Sequence, residues 1–174
     1  MFKELALKRE SCRGYDGRPV PHELLQEILE TACLSPSACN SQPWRLLAVE
    51  GETAEKLRPM VQAAGLNRFA DKVSTFVVIC ETKASLKEGV SGDRQRFAQM
   101  DVGMVTMMLT LAAADQGVST CILGCFRENK IKELLNIPED VVVRLVVAMG
   151  YAEKEGVRKK VRKPYSETIG YQSW

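Results

Sequence analysis

Apolar positions recur along this chain in two periods, and the switches between them mark out its elements. From Pro21, PHELLQEILETACL keeps Leu24, Leu25, Ile28, Leu29, Ala32 and Cys33 on one face of a 3.6-residue repeat, with acidic residues in the first turns where the dipole favours them. A helix is predicted over 21–34. Residues 2–11 carry Phe2, Leu5, Ala6 and Arg9 at helical spacing and then meet Gly14 and Gly17, which reads as a short helix with a basic end running into a turn. LLAVE, residues 46–50, reads as a strand. ETAEKLRPMVQAAG, residues 52–65, reads as a helix with Pro59 as a candidate kink, and TFVVIC, residues 75–80, as a buried strand from its β-branched run. KASLKEGVSGDR, residues 83–94, is polar, holds two glycines and keeps no period, so it is expected to be a mobile surface connection and a candidate lid.

Residues 95–116 form the longest predicted helix, with Met100, Met104, Val105, Met107, Met108, Leu109, Leu111, Ala112 and Ala113 covering more than one face. Gly117 is its expected C′ residue, STCIL a short strand, Glu128–Leu135 a helix and VVVRLVVAMG, residues 141–150, the last strand. Methionine at helical spacing is usually flexible core filler. A helix apolar on several faces nevertheless has too little neighbouring chain to cover it in 174 residues, which predicts a homodimer. No internal repeat, low-complexity linker or domain boundary interrupts 1–174, so one layered domain of α/β or α+β type is expected.

Composition narrows the class of function. With 45% hydrophobic and 26% charged residues the chain can build a core, and no apolar run is read as spanning a bilayer. The amino-terminal stretch has no signal-like apolar region, so a cytoplasmic location is expected. A net charge of +2 with few aromatics argues against nucleic acid. The six cysteines fall in helix, strand and core segments, which favours free thiols, and with His22 as the sole histidine no zinc pattern is present. His22 follows Pro21 in a polar first turn and reads as solvated surface.

Two polar clusters stand out. LSPSACNSQPWR, residues 34–45, joins a helix end to a strand through Pro36, Pro43 and the polar groups of Ser35, Ser37, Asn40, Ser41 and Gln42. Such a loop either satisfies itself by side-chain to backbone bonds or grips a ligand. Arg9, Ser11 and Arg13 alternate, so in an extended backbone they share one side and can face a phosphate; Lys159, Lys160, Arg162 and Lys163 form a second basic set. Neither a dinucleotide glycine fingerprint, a P-loop nor a nucleophile elbow is present. A phosphate cage, a polar loop and no acid–base machinery suit a protein whose bound cofactor performs the chemistry.

RESCRGYDGRPVP (9–21) and SPSACNSQPWR (35–45), with MDVGMVTMMLTLAAADQGVSTCILGCF (100–126) and the tail VRKPYSETIGYQSW, resemble the nitroreductase family of FMN-dependent oxidoreductases over essentially the whole chain. The resemblance implies an α+β fold, a mixed, mostly antiparallel sheet sandwiched by helices, in a domain-entwined homodimer with flavin sites at the interface. It implies that Arg9, Ser11 and Arg13, with Lys160 and Arg162, hold the phosphate and ribityl chain of tightly bound, non-covalent FMN. Ser37, Ala38, Asn40 and Gln42 of the opposite subunit would line the flavin, with Leu123 and Gly124 over the ring and Asn67 and Arg68 at its edge. No side chain is expected to be catalytic, since flavin N5 carries hydride from NADH or NADPH to a small nitroaromatic or quinone-like acceptor by a ping-pong mechanism. A non-catalytic flavin-binding or redox-sensing protein and a dehalogenase-type relative are the alternatives. Glu10 stands where a second arginine is common and is expected to face solvent. Cys39 is either packed or a thiol near the flavin.

Overall fold

The computed structural model describes residues 1–85 and 93–172. Seven of the residues expected to form a lid, 86–92, lie outside the described part. Among the described residues, α-helices and strands follow one another as α1 Phe2–Lys8, α2 His22–Ala32, β1 Trp44–Val49, α3 Gly51–Val61, β2 Thr75–Glu81, α4 Ala98–Asp115, β3 Ser119–Leu123, α5 Glu128–Leu135 and β4 Val142–Gly150. The four strands lie in the order β1-β2-β4-β3, and every neighbouring pair is antiparallel. The sheet is therefore less mixed than expected, its parallel component among the described residues being one isolated bridge between Ser11 and Thr120.

Burial explains why TFVVIC carries no alternation. β2 is central and buried along its whole length, so Phe76, Val78 and Cys80 enter one core while Val77 and Ile79 enter the other. On the first face they meet Ala54, Leu57 and Val61 of α3 and Ile131 of α5; on the second, Leu25 and Ile28 of α2 and Val102, Val105 and Leu109 of α4. Helices cover both faces of an antiparallel sheet. At roughly 1.5–3 kcal/mol for each large apolar side chain removed from water, these two layers supply the main drive to fold.

Most boundaries shift by one or two residues, and three larger departures have a local cause. α1 stops at Lys8, and Arg9 is extended at φ −64° and ψ 123°, so residues 9–13 leave the helix before the cage begins. α3 stops at Val61 because Ala64 (φ 54°) and Gly65 (φ 74°) turn the chain into the left-handed region. α4 begins at Ala98, after a short 3₁₀ turn over Arg94–Phe97.

α4 carries two apolar faces. Val102, Val105, Leu109 and Ala113 are buried in the core, whereas Phe97, Met100, Met104 and Met107 remain 39%, 60%, 39% and 42% exposed. Gly103 lies beside them, and a Cβ there would meet nothing within 4 Å. A mid-helix glycine destabilises by roughly 0.5–1 kcal/mol relative to alanine, and nothing among the described residues requires one here. By length and composition Gln95–Asp115 is also long and apolar enough to cross a membrane, which corrects the reading that no such run exists; 56% of that window is buried here.

Candidate cofactor site

Three clusters hold the expected site residues. The first is built by the extended segment after α1, which lies against β3 through the Ser11–Thr120 bridge and a bond from Cys12 N to Thr120 O of 2.8 Å. Tyr15 pins it further: its buried hydroxyl donates to the Ala148 carbonyl at 3.2 Å, and burial pushes the phenol well up from its usual range. Gly150 makes room for that ring, since a Cβ there would sit 3.1 Å from Tyr15 Cδ1.

The tail then folds back onto the segment. Arg158 donates from Nη2 to the Ser11 carbonyl at 2.6 Å, Lys160 Nζ donates to the Arg9 carbonyl, and Arg158 Nε pairs with Glu10 at 3.0 Å. Arg9, Ser11, Arg13, Lys160 and Arg162, predicted as one set, do line one cavity of about 300 Å³. Arg158 and Lys159 complete it, giving six cations against the single carboxylate of Glu10. Among the described residues the Arg9 and Arg13 guanidiniums make no hydrogen bond, so their donors are open to an anion. Partial burial, and then the neighbouring Arg9, Arg162 and Arg158 charges, lower the Lys160 pKa from its ordinary value. Crowded cations of this kind favour whatever anion joins them.

Glu10 corrects one expectation. Its side chain is only 24% exposed, because it clamps Arg158 through both the guanidinium and the backbone N–H. Desolvation raises its pKa, but the two Arg158 hydrogen bonds and that cation's charge outweigh it and hold the carboxyl below its usual value. The sign follows: a lowered folded-state pKa means a contribution that is complete above the ordinary carboxylate range and lost as pH falls through the lowered value. The protection of the Arg158 N–H, its exchange rate compared with the intrinsic rate at each pH, is accordingly expected to fall on acidification through that range and to stay constant above it. Glu10→Gln should flatten the profile.

The second cluster is the 34–45 loop. Cys39, Asn40 and Gln42 have φ of 54°, 53° and 47°, three non-glycine residues in the left-handed region within four positions. Each costs on the order of 1–3 kcal/mol and persists only where its surroundings over-determine it. The loop satisfies part of itself: Gln42 N donates to Ser37 Oγ at 2.9 Å, and Gln42 Nε2 to Asn40 O and Oδ1 at 3.2 and 3.1 Å. It is also held from outside, by Asp101 Oδ1 accepting from Ala38 N at 3.2 Å and by Ser85 N donating to Ser41 Oγ at 2.7 Å. Cys39 is exposed within the chain, so the packing alternative is not realised there.

The third cluster comprises Asn67, Leu123 and Gly124. Asn67 (φ 54°) donates its amide to Val61 O at 2.8 Å and to Cys125 O at 3.3 Å, tying the end of α3 to the segment after β3. Leu123 as a whole residue is 3% exposed and packs in the core, so the open position at this end of β3 is Gly124. Gly124 is exposed, and a Cβ on it would meet nothing within 4 Å, so any exclusion of larger residues there must come from a bound group or another chain.

β3 joins the first and third clusters. Thr120 lies beside the cage and Gly124 just beyond the strand's other end, four extended residues and about 13 Å away, a reach suited to a ribityl phosphate and the near part of a ring. The cavity of the cage includes none of Ser37, Ala38, Asn40 or Gln42, so a single chain does not bring the loop to it. Sequence reasoning missed Arg158, whose signal was its place beside the Lys159–Lys163 run, and Asp101, a carboxylate 2% exposed in an otherwise apolar helix.

The chain has relatives both in sequence and in solved structure. The sequence pattern of the Nitroreductase family matches residues 6–77 and 62–151. A protein of Archaeoglobus fulgidus named as an NADH dehydrogenase/NAD(P)H nitroreductase is 34% identical over 151 residues, covering 84% of this chain and 83% of that protein. A crystal structure of a nitroreductase family protein from Clostridium difficile 630 superposes with a TM-score of 0.83 at 26% identity, covering 100% of this chain and 99% of the other. A crystal structure described as an oxidoreductase containing FMN gives 0.76 at 26% identity over 86% of this chain and 76% of its own. With the family pattern spanning most of its length and the fold shared throughout, the chain belongs to the nitroreductase family.

Proposed function

We propose that this protein is an FMN-dependent oxidoreductase that takes reducing equivalents from NADH or NADPH and delivers them to a small nitroaromatic or quinone-like acceptor, working as a homodimer. The observation that carries this reading is the placement of the cationic cage and the open backbone at Gly124 at opposite ends of β3. The residues fit the group. Arg9 and Arg13 would grip its phosphate, with Arg158, Lys160 and Arg162 closing from the tail side. The backbone at Gly124 would border the ring, with Leu123 seated in the core beneath it and Asn67 holding that border in place.

When bound, FMN supplies the hydride chemistry that no side chain of this site provides. The chain's own work is to bind, to orient and to leave one face accessible. Ser37, Ala38, Asn40 and Gln42 of the second copy would close the cleft, which accounts for their absence from the cage of their own chain. The second apolar face of α4, with Gly103 permitting close approach, supports that pairing, as do tail residues such as Val161 and Tyr165, which are 82% and 79% exposed. The FMN content of the structural relative and the NAD(P)H in the relative's name support the cofactor and the donor.

If donor and acceptor use the same open face in turn, NAD(P)H oxidation measured against a flavin-only blank should give parallel initial-rate lines as acceptor is varied. Intersecting lines would rule out a shared face. No oxidation above the blank with either nicotinamide would leave a flavin-binding protein without turnover.

A further inference from the structure

Gln95 stands at the junction between α4 and the segment that leaves β2, and its side chain is bonded on every side that the described residues offer. Its Nε2 donates to Glu81 Oε1 at 2.6 Å and to Thr82 O at 2.9 Å, while its Oε1 accepts from Ala84 N at 3.0 Å. Glu81, 4% exposed at the end of β2, is held in turn by Arg144 Nε of β4 at 2.5 Å. One amide thus fixes the backbone of residues 82–84 against a buried ion pair. An amide suits the position, because it offers donors to a carboxylate and a carbonyl and an acceptor to a backbone N–H at the same time.

Residues 82–85 touch the polar loop directly. Thr82 N donates to Pro43 O at 3.0 Å, and Ser85 N donates to Ser41 Oγ at 2.7 Å. Ser41 lies between Asn40 and Gln42, two of the left-handed residues of the loop. Such conformations persist only under external constraint. The constraint runs from the Glu81–Arg144 pair through Gln95 to residues 82–85 and on to Ser41.

We propose that Gln95 is a positioning residue for the cofactor site: it presets the loop that carries Ser37, Ala38, Asn40 and Gln42, although its side chain bonds only to Glu81, Thr82 and Ala84 among the described residues. The inference rests on the FMN reading above. In a site formed by preset groups, loosening the loop lowers affinity by the free energy of re-ordering it on binding.

The test is FMN titration of the full chain, followed by flavin fluorescence. Gln95→Glu puts a carboxylate against Glu81 and removes the donors, and is expected to weaken FMN binding about tenfold. Ser41→Ala, a change at the loop end of the relay, is expected to weaken it about threefold and keeps the test alive should Gln95→Glu fail to fold. The double variant Gln95→Glu with Ser41→Ala should bind no more weakly than Gln95→Glu alone, because both cut one line of contacts. Glu81→Gln combined with Gln95→Glu re-forms a donor–acceptor pair across the same gap and should recover part of the loss, the bond to Thr82 O staying broken. Simple additivity of the two single effects, or unchanged affinity in Ser41→Ala, overturns the inference while the FMN reading stands. A wild-type chain that takes up no FMN removes both.

Discussion

Arg9→Ala is expected to yield a folded protein that binds FMN about 10- to 100-fold more weakly than the wild type. The guanidinium of Arg9 has no hydrogen-bond partner among the described residues, so its removal disturbs little within the chain. It does line the cage with Arg13, Arg158 and Lys160. A charge-assisted bond to phosphate is worth roughly 1.5–3 kcal/mol, which sets the size of the effect. Arg9→Lys should fall between, since an ammonium supplies charge without the bidentate fork. Thermal unfolding without flavin should be nearly the same for all three proteins, and flavin fluorescence titration gives the affinities. Full retention of FMN by Arg9→Ala would remove the phosphate assignment.

Met104→Arg is expected to leave a monomer. Met104 is 39% exposed on the outer face of α4, beside Gly103 and between Met100 and Met107, so an arginine there reaches solvent freely in an isolated chain. In a dimer built on that face the same guanidinium would lose its water without gaining a partner, an effective penalty of several kcal/mol. Sedimentation at micromolar concentration should then show the wild type as a dimer and the variant as a monomer. Because the loop residues Ser37, Ala38, Asn40 and Gln42 reach the site only from the second copy in this account, the monomer should also lose most of its FMN affinity. A monomeric variant that still binds FMN like the wild type would separate the site from the interface and contradict the shared cleft.

What the sequence made legible was local. The run TFVVIC announced a strand buried on both faces, and the breadth of the Met100–Ala113 pattern announced a helix with two apolar sides, because burial writes its period directly into neighbouring positions. The alternation of Arg9, Ser11 and Arg13 was readable for the same reason once α1 ends at Lys8. The partners of those residues were less so. Glu10 meets Arg158 across 148 positions, and no periodic signal connects the two, so a carboxylate expected to face solvent turns out to clamp the tail. The expectation for Leu123 came from its position in a motif, which carried no information on burial; β3 turns that side chain into the core and leaves Gly124 as the open position. Asp101 and Gln95 escaped notice because their work is to hold backbone N–H groups elsewhere in the chain, a role that leaves no local pattern.

The most direct measurement is the visible spectrum of the purified protein after incubation with FMN and removal of the unbound flavin. A yellow protein carrying about one flavin for each chain is expected, with a tightly bound cofactor that survives the separation. A colourless protein that is folded, dimeric and still refuses FMN would contradict the FMN reading.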